Sequence, residues 1–115
     1  MRVMALALAL TGPALAQDGR VVFENHCASC HAVERGAEAG PGPNLAGVVG
    51  RRIGGDRAFG YSPALEQAGR NWDRALLLRF LADPEEVFPG TWMGANNLPE
   101  AADRAAVADF LQSVR

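Results

Sequence analysis

Apolar side chains recur at helical spacing near the start, the middle and the end of the chain. In the first of these segments, from Gly19 to about Ala32, they lie three or four residues apart and therefore share one face of a helix. The residues on this face are Val22, Phe23, Cys27 and Cys30. Asp18 directly precedes the segment and is a suitable N-cap, so a first helix is predicted over residues 19–32.

Two further helices are predicted in the middle of the chain. Ser62 followed by Pro63 is a typical helix start, and Gly69 is a natural stop. Asn71 predicts the cap of a second helix, which ends before Pro84. The apolar face of that helix consists of Trp72, Leu76, Phe80 and Leu81.

The remaining helical signals lie after residue 82. The sequence DPEE at residues 83–86 has the spacing of a capping box and predicts one more turn, ended by the Pro-Gly pair at 89–90. The last helix is predicted from Pro99, with its apolar face at i, i+3, i+4 and i+7. That face is formed by Val107, Phe110, Leu111 and Val114. Since no segment alternates apolar and polar residues as a strand would, the predicted fold class is all-α.

Residues 36–60 interrupt the helical pattern. They contain eight glycines together with Pro41 and Pro43, a composition that excludes regular helix or sheet. A loop of this length inside a compact domain is usually functional or wraps around something. The segment is therefore predicted to be a long ordered loop.

The first sixteen residues have the features of a secretory signal peptide. Arg2 is followed by an apolar run, a Thr-Gly-Pro break and the small-residue cleavage pattern Ala14-Leu15-Ala16. Crossing a bilayer takes about 20 apolar residues, and this stretch is shorter and contains proline and glycine. We expect cleavage after Ala16, a mature domain over residues 17–115, export to the periplasm and no stable membrane insertion.

The net charge of the chain narrows the class of macromolecule that it is expected to bind. The chain has 11 basic and 13 acidic side chains, a net charge of −2, and all the basic residues are arginine. Loss of Arg2 with the signal peptide would leave 10 against 13, a net charge of −3. Domains that bind nucleic acid usually carry a basic excess, so nucleic acid is not an expected partner.

Both cysteines and both histidines of the chain lie within six residues, HCASCH at 26–31. A zinc finger would separate its cysteine pair from its histidine pair by about a dozen residues. A thioredoxin-like dithiol would need a βαβ framework, which the pattern does not predict. A disulfide between Cys27 and Cys30 would close a very small loop and stabilise little.

Covalent haem attachment accounts for the whole C-x-x-C-H motif. Cys27 and Cys30 lie on the same side of a helical turn, where each thiol can add to one vinyl group of a porphyrin. His31 then lies under the iron as the proximal ligand. His26 has no role in this interpretation and is expected at the surface.

A six-coordinate haem needs a second axial ligand. The chain has no lysine, His26 is tethered to the proximal side, and two of the three methionines lie in the predicted signal peptide. Met93 remains, in a stretch whose Pro-Gly turn suits a loop folded over a flat ligand. A lone methionine is more often a filler of the core, but this elimination favours Met93 as the distal ligand.

Further residues and short motifs accompany the haem motif along the chain. They are Gly19, Phe23, GPNLAGVVGR at 42–51, Tyr61, Trp72, PGTWM at 89–93 and Phe110. Together with CASCH at 27–31 and the spacing from His31 to Met93, they resemble a class I cytochrome c of the mitochondrial type and its bacterial relatives. The resemblance covers essentially the whole mature chain.

This resemblance implies the cytochrome c fold, with crossing N- and C-terminal helices and with short helices and long loops around one covalent haem c. It implies that the Pro43 carbonyl accepts a proton from His31 Nδ1. It also implies that Arg51, Tyr61 and Trp72 donate to the haem propionates. The terminal helices would cross where Gly19 and Phe23 meet Phe110.

Three positions depart from the family pattern. Phe80 stands where a tyrosine near the methionine ligand is usual, so a hydrogen bond toward the Met93 sulfur is not expected. Trp92 replaces a lysine of the mitochondrial type, and Ala95 replaces an aromatic residue at the haem edge. The exposed edge, and with it the choice of partner, is therefore expected to differ.

The expected function is that of a soluble, monomeric single-haem electron carrier, not an enzyme. Expected partners are redox proteins such as a quinol-cytochrome c oxidoreductase, a terminal oxidase or a periplasmic dehydrogenase. The competing hypothesis is a peroxidase-like or gas-binding haem protein in which Met93 is a labile ligand.

Overall fold

The computed structural model describes residues 4–5, 18–94, 96 and 98–115. The predicted signal peptide lies outside these residues except for positions 4 and 5, and Ala95 also lies outside them. Within the described residues the regular structure is helical, with one isolated antiparallel bridge between Arg52 and Asn71. No helix in this part of the chain is long and apolar enough to cross a membrane.

Helix α1 spans Gly19–His26, six residues shorter than predicted at its C-terminal end. Its N-cap is Asp18, as predicted, whose carboxylate accepts from the Arg20 amide. After His26 the ladder of i to i−4 bonds breaks, because Ala28 donates five residues back to the Phe23 carbonyl. The CASC segment therefore forms turns at the end of the helix rather than its last turn.

Helix α2 spans Pro63–Glu66, and the Ser62 hydroxyl accepts from an amide of its first turn, as predicted. Helix α3 spans Arg74–Ala82. The predicted cap of α3, Asn71, is wrong: the Asp73 carboxylate accepts from the Leu76 amide at 2.7 Å. Asn71 instead lies in the bridge, where the backbone is paired with the glycine-rich loop.

Helix α4 spans Pro84–Val87, and the Asp83 carboxylate caps it, which confirms the turn predicted from DPEE. Helix α5 spans Ala101–Ser113 and so begins two residues after the predicted Pro99. Its N-cap, Glu100, makes no side-chain capping bond.

Helices α1 and α5 cross, and α3 packs against both α4 and α5. At the crossing, the rings of Phe23 and Phe110 lie 5.5 Å apart, and the Arg20 guanidinium lies 5.0 Å from the centre of the Phe110 ring. Gly19 is required there, because an added Cβ would lie 2.7 Å from the Ala106 carbonyl carbon. The predicted crossing of the terminal helices is confirmed.

The glycine-rich loop is ordered by hydrogen bonds to distant segments. Its amides at Gly42 and Leu45 donate to the carbonyls of Cys30 and Ala32, and the Gly47 amide donates to Val114 near the C-terminus. Farther along the loop, Gly50 donates to the Trp72 carbonyl at 2.6 Å. The loop thus holds the cysteine motif, the C-terminal end of α5 and the start of α3 around one interior space.

Candidate haem site

A cavity of about 360 Å³ lies between the glycine-rich loop, the CASCH segment and helices α3 and α5. Every residue predicted for the site lines it. These residues are Cys27, Cys30, His31, Pro43, Arg51, Tyr61, Trp72 and Met93. His26, for which no role was predicted, is exposed at the end of α1.

The two cysteines reach this cavity from the turns after α1. Both are free thiols, with Cys27 buried and Cys30 exposed. Burial, with a smaller contribution from Cys30, raises the pKa of the Cys27 thiol to about 11.

His31 is held in one orientation by the glycine-rich loop. Its Nδ1 lies 2.8 Å from the Pro43 carbonyl oxygen. Because a carbonyl only accepts, this bond requires the proton on Nδ1 and leaves the lone pair of Nε2 available for a metal. Burial lowers the pKa of His31, against the opposing effect of the Pro43 bond, and so favours the neutral ring that a metal ligand needs.

Gly42 allows the loop to approach the His31 ring this closely. A Cβ on Gly42 would collide with the imidazole, with Nδ1 only 2.7 Å away. The Gly42 amide also donates to the Cys30 carbonyl at 2.8 Å. The sequence placed Gly42 in a family motif, but its contact with His31 emerges only from the structure.

Arg51 is half-buried and brings its guanidinium to the cavity. Its Nη1 and Nη2 donate to the carbonyls of Ala46 and Asn44, at 3.2 and 3.0 Å. Its Nε is buried and has no hydrogen-bond partner among the described residues. An unpaired charged donor in such a position is costly, so Arg51 fits a site that receives an acceptor there.

Tyr61 and Trp72 lie on the same side as Arg51. Burial raises the pKa of Tyr61, and the nearby positive charge of Arg51 partly opposes the increase. The Trp72 amide donates to the Arg51 carbonyl at 2.8 Å. The structure therefore brings together the three residues for which propionate contacts were predicted.

Met93 is half-buried, and its amide donates to the Thr91 hydroxyl at 3.4 Å. Phe80, on α3, is buried beside the cavity, and its ring packs 5.1 Å from that of Trp72. A phenylalanine presents no hydroxyl toward Met93. The side chain of Trp92 both lines the cavity and is 71% exposed.

Sequence reasoning did not single out two buried polar side chains at the cavity, Thr91 and Ser62. Ser62 was identified only as a helix cap. Thr91 lies inside PGTWM, and its position directly before Trp92 and Met93 could have identified it as a residue of the site. Much of the remaining lining is aliphatic, from Leu45, Val48, Leu65, Leu77, Val107 and Leu111.

These features fit haem. An aliphatic and aromatic cavity suits the porphyrin, and the unpaired Nε of Arg51 suits a carboxylate at its edge. The free thiols and the orientation of His31 supply the attachment and ligand chemistry of a C-x-x-C-H motif. The fold and the cavity define the chain as a small all-α protein built around one covalently attached haem.

Comparison with known proteins identifies the family. The cytochrome c family model matches residues 16–115, so the chain belongs to the cytochrome c family. It is 41% identical over 93 residues to cytochrome c2 iso-1 of Magnetospirillum molischianum, covering 79% of this chain and 92% of that protein. It is 38% identical over 99 residues to cytochrome c of Tetrahymena pyriformis, covering 86% and 88%.

A solved structure shows the same fold. Cytochrome cH from Methylobacterium extorquens superposes with a TM-score of 0.73 at 34% identity, covering 85% of this chain and 97% of that one. The predicted family and fold are confirmed. Family membership makes the chain a small haem electron carrier rather than an enzyme, with one covalently bound haem c.

Proposed function

We propose that this protein carries single electrons between redox proteins of the cell envelope, with His31 and Met93 as the axial ligands of its haem. The observation that carries the proposal is that one cavity brings together two side chains 62 positions apart, an oriented neutral imidazole and a thioether. When bound, haem supplies the one-electron Fe(III)/Fe(II) couple.

The chain's own residues would adjust the reduction potential of that couple. The thioether of Met93 would be a soft ligand that favours Fe(II), and the surrounding aliphatic side chains would disfavour the extra positive charge of Fe(III). The hydrogen bond from His31 to the Pro43 carbonyl keeps the ring oriented and makes it a better donor. If His31 and Met93 both held the iron, the chain would offer no position for a substrate unless Met93 were displaced.

The polar side of the cavity would hold the propionates. The unpaired Nε of Arg51, the Tyr61 hydroxyl and the Trp72 indole are the donors proposed for them. A charged donor that stays buried beside a carboxylate satisfies both groups, which supports this assignment.

The proposal also covers the cellular location of the protein and its redox partners. Residues 1–16 are proposed to be a signal peptide cleaved after Ala16, which leaves residues 17–115 as a periplasmic monomer. The proposed partners are a quinol-cytochrome c oxidoreductase, a terminal oxidase or a periplasmic dehydrogenase. Mass spectrometry of the protein purified from the periplasm tests the export, the cleavage and the haem attachment, because it should show a chain that begins at Gln17 and carries one haem.

One observation favours a second candidate, a peroxidase-like or gas-binding protein. Phe80 is buried beside the cavity and offers no hydroxyl to support Met93. Optical spectra of the reduced protein with and without carbon monoxide separate the two functions. Electron transfer predicts no binding at neutral pH in the native protein and binding in Met93→Ala, whereas binding by the native protein supports the second candidate.

A further inference from the structure

Trp92 is the one strongly exposed aromatic side chain in the described part of the chain, at 71% of its full accessibility. Its neighbours in sequence behave differently, since Thr91 is buried and Met93 is half-buried. The indole nevertheless lines the cavity that receives the haem. A single side chain therefore connects the cofactor site with the solvent, directly beside the proposed axial ligand.

A packing role does not explain this exposure. The other aromatic rings at the cavity are buried or half-buried, and each packs against another ring of the protein, as Trp72 does with Phe80 and Phe88 at 5.1 and 5.9 Å. Trp92 leaves most of its ring in water, where it contributes little to the stability of the fold. An exposed tryptophan at a functional opening is typical of a contact that becomes buried on binding.

The charge of the chain provides little electrostatic attraction for docking on an acidic partner. The chain has no lysine and a net charge of −2. Of the eleven arginines, Arg51 donates to backbone carbonyls and Arg74 pairs with Asp109 at 3.0 Å, and the 13 acidic side chains outnumber the basic ones. Long-range attraction to an acidic partner is therefore weak, and burial of apolar surface must supply more of the affinity.

We propose that Trp92 is the contact through which the protein docks on, and exchanges electrons with, a redox protein whose own centre lies under an apolar surface patch. This inference rests on the proposed electron-transfer function. The indole would fill the centre of the interface, and it shortens the path from haem to partner because it already borders the cavity.

Gold electrodes coated with alkanethiol monolayers provide a defined probe. A methyl-terminated monolayer presents an apolar surface, and a carboxylate-terminated monolayer presents an acidic one. The haem-loaded protein is expected to exchange electrons faster at the methyl surface, measured by cyclic voltammetry at matched monolayer thickness. Trp92→Ala should reduce that rate about tenfold, the loss typical of a central interface residue. The rate at the carboxylate surface should fall by less, so the ratio of the two rates should decrease.

Three further variants make the test specific. Trp92→Phe keeps an apolar ring and should stay within about threefold of the native rate at the methyl surface. Trp92→Lys should exchange electrons faster at the carboxylate surface than the native protein. Val21→Ala removes another exposed apolar side chain, on α1, and should change neither rate.

The midpoint potential and optical spectrum are recorded in solution with soluble mediators. They test the electron-transfer function separately from the docking role of Trp92. A normal reversible titration in Trp92→Ala together with an undiminished rate at the methyl surface would overturn the role of Trp92 alone. Failure of the native protein to titrate reversibly would overturn the proposed electron-transfer function, and the docking role with it.

Discussion

Replacing Gly19 with alanine should push the terminal helices apart. The added Cβ would meet the Ala106 carbonyl carbon at 2.7 Å and the Phe110 Cβ at 2.8 Å. Carbon atoms pack best at about 3.5–4.0 Å, so both contacts are roughly 0.8 Å too short. The obstacle at Ala106 is backbone, which cannot rotate away as a long side chain would, and α1 must move relative to α5.

The expected cost follows from these contacts. Overpacking of this kind typically costs about 1–3 kcal/mol, and the better helix propensity of alanine recovers less than about 1 kcal/mol at the first residue of a helix. We therefore expect the free energy of unfolding to fall by about 1–2 kcal/mol. For a domain of this size, that lowers Tm by roughly 4–16 °C.

Guanidinium denaturation of the haem-loaded protein, followed by circular dichroism, measures this change. Gly60→Ala is the matched control, because a Cβ there meets nothing within 4 Å and the backbone is not left-handed. It should change stability by less than about 0.5 kcal/mol. Gly19 does not line the cavity, so the midpoint potential should be unchanged in both variants. Equal stability of the two variants would refute the close-contact argument.

Three further variants test the site. In Gly42→Ala, the new Cβ collides with the His31 ring, so the optical signature of the proximal ligand and the midpoint potential should both change, which spectroelectrochemistry measures. The Asn96 side chain donates to the Leu81 carbonyl in the last turn of α3 at 2.6 Å and accepts from the Leu98 amide. Asn96→Ala removes both bonds and should loosen the Met93 segment. Imidazole should then bind the oxidised protein several-fold more tightly. Burial raises the pKa of Tyr61 above its usual 10, so the unfolded chain loses this proton first and stability should fall as pH rises above 10. Tyr61→Phe should flatten that decline in denaturation curves recorded from pH 9 to 11.

Each of these variants has a clear contrary result. An unchanged proximal signature in Gly42→Ala would mean that the loop retreats without disturbing His31. Native imidazole affinity in Asn96→Ala would show that the hydrogen bond to α3 does not restrain Met93. The same alkaline decline in Tyr61→Phe would assign it to another group.

The residues proposed for the site could be chosen from the sequence because the choice depends on local spacing and on elimination, and the structure places them around one cavity. Cys27, Cys30 and His31 are consecutive elements of one motif, and few other side chains could serve as a second ligand, which left Met93. The periodicity of the last helix likewise placed Phe110 on its apolar face. These features can be identified without knowing which distant segments of the chain come into contact.

Only the tertiary structure decided how distant segments meet. Asn71 looked like a cap, but pairing with the loop moved that role to Asp73. The contact of Gly42 with His31 and the bonds of Arg51 to the Asn44 and Ala46 carbonyls depend on how the glycine-rich loop folds back on itself and on the cysteine motif. The exposure of a side chain such as Trp92 is decided the same way, because it depends on which other segments cover it.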